Sequence, residues 1–194
     1  MKWRIGLIGI LFLSGCGFQE APIMKEYRLM VPSVTAVSSS AYRHQILKVS
    51  YPVALGEKLT ERMYYSYSFS DRGAYVNSSW STALGRMLQG NIIQILSNAH
   101  CFKVVVPFAS DIKENLRLES TVFDFSHHVR GEDSYAVVSI QFTLMDVHTG
   151  KLVKAKRFSY REATTTTNAQ GYAQASNRIM VALSHDLVVW LSHP

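Results

Sequence analysis

The sequence has little cysteine, no long apolar run and no block of like charges. Only two of its 194 residues are cysteines, Cys16 and Cys101. The apolar run at residues 5–13 is about half of the roughly 20 residues that a membrane-spanning helix needs. The 20 basic and 14 acidic residues give a formal net charge of +6 and are dispersed along the chain. We therefore expect neither a retained spanning helix at the start nor a nucleic-acid partner.

Motifs that carry catalysis or metal binding are also missing from the sequence. There is no G-x-S-x-G elbow, no Gly-rich phosphate loop and no C-x-x-C or H-x-x-x-H spacing. Ser184, His185 and Asp186 are the residue types of a hydrolytic triad, but neighbours on a helix point about 100° apart and cannot bond in series. His127 and His128 adjoin in a predicted strand and so face opposite sides of the sheet. We expect no enzyme activity, no metal site and no cofactor.

Residues 1–15 are interpreted as a cleaved lipoprotein signal peptide. Lys2 and Arg4 precede the apolar run, and Leu13-Ser14-Gly15-Cys16 closes it. Leu13 is too large for an ordinary secretory cleavage site but fits a lipobox. In that motif a diacylglyceryl group joins the Cys16 sulfur, and cleavage exposes Cys16 for a further acyl chain such as palmitate. An uncleaved anchor and ordinary export with a coincidental cysteine are the alternatives.

Residues 16–25 are predicted to be the lipidated cysteine and a tether, and residues 26–194 a single domain. Nine extended residues reach at most about 30 Å, so the domain should lie close to its membrane. With Cys16 acylated, Cys101 is the only thiol left and no intramolecular disulfide can form. Cys101 is expected to be a small buried apolar residue.

The pattern of apolar residues predicts an α+β domain. Strands are predicted at residues 26–31, 45–51, 62–69, 102–106, 116–128, 135–146 and 152–162. A first amphipathic helix should begin with Ser78 or Ser79 as N-cap and carry Trp80, and a second should follow Asn168. The last three strands should form an antiparallel meander. The expected fold is a largely antiparallel sheet with two amphipathic helices packed on one face.

The predicted strand at residues 62–69 has one aromatic face. Met63, Tyr65, Tyr67 and Phe69 alternate with smaller or more polar residues. We interpret Tyr65, Tyr67 and Phe69 as core residues beneath the two helices. The alternative is an exposed surface that binds lipid or a partner.

Several features together resemble the ABC-type transport auxiliary lipoprotein family. In chain order they are the lipobox, a strand ending near Tyr51-Pro52, the Tyr75-x-x-x-x-Trp80 pair opening the first helix, the Leu144-Met145-Asp146-x-x-Thr149-Gly150-Lys151-Leu152 hairpin ahead of Phe158, and a closing helix ending in Trp190-Leu191. The resemblance spans nearly the whole mature chain.

This resemblance implies a periplasm-facing protein, lipid-anchored in the outer membrane. There it would dock an MCE-domain protein and its ABC permease and ATPase, so that phospholipid can pass between the membranes. Gly17 is consistent with that address, because the enterobacterial inner-membrane retention signal places Asp after the lipidated cysteine. Tyr75 and Trp80 are expected near a partner or lipid surface. Direct phospholipid contact and a homo-oligomer are open, and the alternative function is an outer-membrane assembly or envelope-structural lipoprotein without a role in lipid transport.

Overall fold

A computed structural model describes residues 23–56 and 58–193 of the chain. These residues form nine strands and two helices. The elements are β1 Lys25–Tyr27, β2 Ile46–Val49, β3 Val53–Ala54, β4 Arg62–Ser66, β5 Arg72–Trp80, α1 Leu84–Asn98, β6 Val104–Pro107, β7 Leu116–Arg130, β8 Asp133–Asp146, β9 Leu152–Ala163 and α2 Ala169–Ser192. The predicted α+β class is confirmed.

β7 is the central strand of the sheet and is paired on both edges. One edge of β7 pairs along its whole length with β8, and β8 pairs in turn with β9, so the predicted antiparallel meander is confirmed. The other edge pairs in succession with β2, β3 and β4, each parallel to β7. β5 then adds antiparallel to β4, and β1 adds parallel to β5. The sheet is thus mixed, with its longest ladders antiparallel.

The two helices share one core with the sheet. α2 packs against β8 and β9, α1 packs against β6 and β2, and the helices also contact each other. Asn168 caps α2 by accepting a hydrogen bond from the Gly171 N–H at 3.0 Å, which satisfies one of the free N–H groups of the first turn. Within the described residues, neither helix combines the length and hydrophobicity that crossing a membrane requires.

The predicted start of the first helix is wrong. Residues 72–80 form β5, and α1 begins only at Leu84, without a side-chain cap. Ser78 and Ser79, the predicted caps, pair with β1 instead, and the Trp80 N–H donates to the Glu61 carbonyl at 2.7 Å. Pairing with a distant strand therefore overrides the local preference of serine for a helix N-terminus.

Candidate functional site

The predicted site residues Tyr75 and Trp80 both lie on β5, but in different surroundings. The side chain of Trp80 is 1% exposed and packs edge-on against Phe125 and Tyr172. The expectation that Trp80 lies at a partner or lipid surface is therefore wrong. Tyr75 is half-buried, and its expected role at a surface stays a prediction.

A large bulge in β5 explains where Tyr75 lies. The register of β4 and β5 shifts so that Arg62 is paired with Ser79 and Tyr64 with Ala74. An advance of two residues along β4 therefore corresponds to five residues along β5. The extra residues of β5 are left without a partner in β4 and bend away from β4. Tyr75 and Val76 lie in this bulge, and Val76 is 83% exposed although it belongs to a strand.

The Tyr75 side chain reaches a buried histidine of β7. The Tyr75 hydroxyl and His127 Nδ1 are 2.6 Å apart and hydrogen-bonded, and His127 Nε2 bonds the Ser134 hydroxyl, also at 2.6 Å. Thr164 donates to that same hydroxyl at 2.6 Å. Because a hydroxyl can donate or accept, a neutral imidazole is satisfied at both nitrogens here.

The surroundings of His127 hold it neutral. Its imidazole is fully buried and stacks on the Tyr172 ring with an interplanar angle of 3° and on the Tyr75 ring with an angle of 22°. Burial, and then the charge of His128, lower the pKa of His127 from 6.5 to about 4. Burial, and then the phenols of Tyr67 and Tyr65, raise the pKa of Tyr75. Both groups are therefore uncharged near neutral pH and act by packing and hydrogen bonding.

His127 is the centre of a row of ring contacts that we name the aromatic ladder. From the surface inward it comprises Tyr67, Tyr65, Tyr75, His127, Tyr172, Trp80 and Phe125. Neighbouring ring centres are between 5.2 Å and 6.1 Å apart, the spacing at which aromatic pairs attract beyond simple burial. The ladder connects the core to one end of the sheet.

The outer end of the aromatic ladder is exposed, although part of it is predicted to be core. Tyr67 is 53% exposed and Phe69 is 99% exposed, so assigning them to the core beneath the helices is wrong. β4 ends at Ser66, and residues 67–71 form the tip of the β4–β5 hairpin. Tyr65 is half-buried and contacts the rings of both Tyr67 and Tyr75.

A shallow pocket of about 380 Å³ opens beside Tyr75. Its lining combines Met24 from the start of the described chain, Glu61 and Arg62 at the start of β4, and Val76 in the β5 bulge. The pocket therefore offers an apolar wall with one charge of each sign, next to the point where the chain enters β1.

A second depression of about 720 Å³ lies along the C-terminal half of α2. Residues 33–39 form one wall, and Val181, His185 and Val189 belong to the other. Val181 and Val189 are 57% and 47% exposed. Since Tyr172 and Val189 are about 25 Å apart along the helix axis, this depression is well separated from the aromatic ladder.

The residue types that suggest catalysis have structural partners. The Ser184 hydroxyl donates to the Val181 carbonyl at 2.7 Å, and Asp186 accepts from the Tyr160 hydroxyl at 2.8 Å. His128, on the opposite side of the strand from His127, pairs with Asp124 at 2.9 Å. Cys101 is buried, as predicted, and burial raises the pKa of its thiol. Cys16, the predicted lipid attachment residue, lies outside the described residues.

The sequence does not reveal the aromatic ladder as a unit. Its members come from four elements and the hairpin tip. Pairing of β4 with β7 aligns Tyr65 with His127, and the packing of α2 adds Tyr172. A usable signal is His127 itself, because a buried imidazole needs hydroxyl or carbonyl partners. The sequence does not say which hydroxyls supply them.

The chain matches the family described as the ABC-type transport auxiliary lipoprotein component over residues 27–188. No curated protein matches it. Among solved structures, protein XCC0632 from Xanthomonas campestris, of the family DUF330, is similar with a TM-score of 0.77 and 16% identity, covering 87% of this chain and 95% of that one. A PelC dodecamer from Paraburkholderia phytofirmans is similar with a TM-score of 0.52 and 14% identity, covering 84% and 100%. At such identities these two structures show the fold.

Proposed function

The chain belongs to the family of ABC-type transport auxiliary lipoprotein components, and from this premise we propose that it is the lipid-anchored accessory of an MCE-protein-dependent phospholipid transporter. The observation that carries the proposal is the family match over residues 27–188, which runs from the end of β1 through most of α2. The match therefore concerns the folded domain itself and is independent of the lipobox.

In this proposal the acylated Cys16 holds the domain on the periplasmic side of the outer membrane. The lipobox Leu13-Ser14-Gly15-Cys16 and Gly17 after it support this address. A diacylglyceryl group with a further acyl chain exceeds the two lipid signals that stable attachment needs. We expect Cys16→Ala to give an unprocessed or soluble protein whose domain still folds, because the anchor lies outside the core. Fractionation tests this: a processed mutant that remains in outer-membrane fractions would reject the anchor.

The proposed role is docking and not catalysis. The polar groups at the centre of the aromatic ladder are hydrogen-bonded: His127 bonds two hydroxyls, and the Tyr172 hydroxyl donates to the Phe125 carbonyl at 3.1 Å. An energy source for transport would then come from the ABC ATPase of the partner complex.

Affinity purification tests the partner. The tagged full chain, extracted from cells with detergent, should recover an MCE-domain protein or its permease and ATPase. The matched control is the tagged Cys16→Ala chain, which should lose these partners if docking requires the membrane. Repeated recovery of outer-membrane assembly components, with no transporter component, would reject the proposal in favour of an assembly or envelope-structural lipoprotein.

We also propose that the protein works as a homo-oligomer. The support is the PelC dodecamer, whose chain has a similar fold. Light scattering on the purified, detergent-solubilised chain measures this directly. A single mass corresponding to one 21.9 kDa chain or less, across a range of concentrations, would reject it.

A further inference from the structure

The tip of the β4–β5 hairpin holds a fully exposed aromatic side chain on an ordered loop. Phe69 is 99% exposed, and Tyr67 beside it is 53% exposed. The loop is closed by its own hydrogen bonds: the Tyr67 N–H donates to the Asp71 carbonyl at 2.8 Å, and the Ser66 hydroxyl donates to the Ser68 carbonyl at 2.6 Å. The fold thus holds the Phe69 ring in water at a defined position. Packing in the core does not explain why an aromatic residue occupies this position.

The chain enters the domain from the side of this tip. β1 runs parallel to β5, with Lys25 paired with Ser78 and Tyr27 with Trp80. Going backward along β1 therefore leads toward Arg72, where β5 begins at the tip. Met24 follows that path, since it lines the same pocket as Val76. Met24, the residue before β1, therefore lies on the tip side of Lys25.

The chain between Cys16 and β1 is long enough for the anchor to reach the tip. Because β5 is bulged, Ser79 to Arg72 spans only the length of β4 from Arg62 to Ser66, about 13 Å. Eight residues lie between Cys16 and Lys25, and the nine steps from one Cα to the other reach at most about 30 Å. A membrane that holds the acyl chains of Cys16 is therefore within reach of the tip.

This end of the sheet carries charges of both signs. The β4–β5 tip and the neighbouring β7–β8 turn and end of β9 carry Arg72, Arg130 and Arg161 together with Asp71, Glu132, Asp133 and Glu162. With both signs present, attraction to anionic headgroups is not the main cause of contact. The aromatic side chains are what favours a membrane here, because aromatic rings are enriched at membrane–water interfaces.

We propose that the hairpin tip is a second membrane contact, with Phe69 inserted among the headgroups of the bilayer that holds the Cys16 anchor. The inference rests on the lipid anchor of the proposed function. The acyl chains hold the protein on the membrane, and the tip fixes its tilt. This orientation turns the hairpin tip toward the lipid and the far end of the sheet toward the periplasm.

Fluorescence of single tryptophan substitutions tests the contact. The mature lipidated chain carrying Phe69→Trp is reconstituted in vesicles of phosphatidylethanolamine and phosphatidylglycerol, with or without bromine atoms near the top of the acyl chains. The matched control is Leu152→Trp, because Leu152 is also exposed, at 61%, but begins β9 at the opposite end of the sheet. The two ends of β7 are about 45 Å apart. The unsubstituted chain gives the background of Trp80 and Trp190.

Brominated lipid should quench Phe69→Trp about twofold or more beyond both the unsubstituted chain and Leu152→Trp, since interfacial side chains lie roughly 5–10 Å into the boundary. Replacing phosphatidylglycerol by phosphatidylcholine should leave this quenching nearly unchanged. Equal quenching of the two variants, on vesicles that retain the protein, overturns the membrane contact and leaves the lipid anchor standing. Loss of the protein from the vesicles overturns the anchor, and the tip contact with it.

The Phe69→Asp variant distinguishes a membrane contact at the tip from a protein contact. We expect Phe69→Asp to remain bound to vesicles through its anchor and to keep the oligomeric mass of the unsubstituted chain. A changed mass identifies the tip as a contact between copies. Loss of transporter capture by Phe69→Asp, without bromine quenching of Phe69→Trp, identifies the tip as a protein-docking site. Either result overturns the proposal.

Discussion

Strand β8 and the β4–β5 hairpin both alternate apolar and smaller or polar residues, but alternation leads to burial in only one of them. In β8, every second residue from Ala136 to Leu144 is at most 1% exposed. In the hairpin, Met63 is fully buried while Tyr67 and Phe69 are exposed. β8 is paired on both edges along its length and covered by α2, whereas β4 is short and pairs with the bulged strand β5.

The difference shows that alternation predicts a core face only where a strand pairs regularly with its neighbours. The buried residues of β4, Met63 and Ser66, are three apart and not two, so burial in this short strand does not follow a single face. Beyond Ser66 the chain leaves the sheet altogether. The hairpin therefore has an inner end that resembles the meander and an outer end that does not.

Trp80→Ala tests whether the inner end of the hairpin is equivalent to the meander core. Trp80 fills space between Phe125 and Tyr172, so we expect a loss of about 3–5 kcal/mol in the free energy of unfolding. Phe142→Ala in β8 should cost a comparable amount. Urea denaturation measures both. A loss below about 1 kcal/mol for Trp80→Ala would contradict the assignment of Trp80 to the core.

The buried His127 joins the two regions and predicts a pH dependence. The unfolded chain binds a proton at this residue below pH 6.5, but the folded chain does so only near pH 4, because burial lowers the pKa of His127. Stability should therefore fall as the pH drops from 6.5 to 4, by up to about 3 kcal/mol. Urea midpoints at pH 7 and 4.5 measure this fall.

His127→Phe should keep the stacking and remove most of this pH dependence. It should also be less stable at pH 7, because Ser134 and Tyr75 lose a hydrogen-bond partner. The control is His185→Gln, since the His185 side chain is 78% exposed and the pH dependence should be retained. Equal pH dependence in all three chains would show that other groups cause the acid destabilisation.

Alanine substitutions at two glycines should have smaller effects and test whether the hairpin is less rigid than the rest of the domain. A Cβ at Gly171, at the start of α2, would collide with the backbone carbonyl of Thr166. A Cβ at Gly73, in the hairpin, would lie 2.6 Å from the Tyr65 hydroxyl, the far end of a side chain. We expect Gly171→Ala to cost about 1–3 kcal/mol and Gly73→Ala less than about 1 kcal/mol. Thermal unfolding of both variants should show this order; the reverse order would mean that the hairpin is the more rigid region.

The sequence predicts the meander because its signals are local and regular. Long alternating strands and the turn at Gly150, with its positive φ of 68°, both follow from residue type and spacing. The start of α1 could not be read in the same way. Ser78 and Ser79 are good N-caps locally, and only their pairing with β1, more than fifty residues earlier in the chain, makes them strand residues.

The candidate site is less predictable than the fold. Tyr75 and Trp80 stand out in the sequence, but a bulge of several residues separates them, so that one is half-buried and the other is in the core. Their connection passes through His127 and Tyr172, which lie on other elements. Contacts of this kind depend on the register of β4 against β7, and residue spacing within one segment does not contain that information.

Phe69→Ala should have the smallest effect on stability, and it isolates the outer end of the hairpin. The Phe69 ring is 99% exposed, and the hydrogen bonds that close the loop involve Ser66, Tyr67, Ser68 and Asp71, none of which the substitution changes. We therefore expect the free energy of unfolding to change by no more than about 0.5 kcal/mol. Urea denaturation of the chain in detergent measures this, beside Leu152→Ala as an exposed residue of the meander. A loss above about 1 kcal/mol for Phe69→Ala alone would mean that the ring packs within the protein, and the contrast between hairpin tip and meander would then disappear.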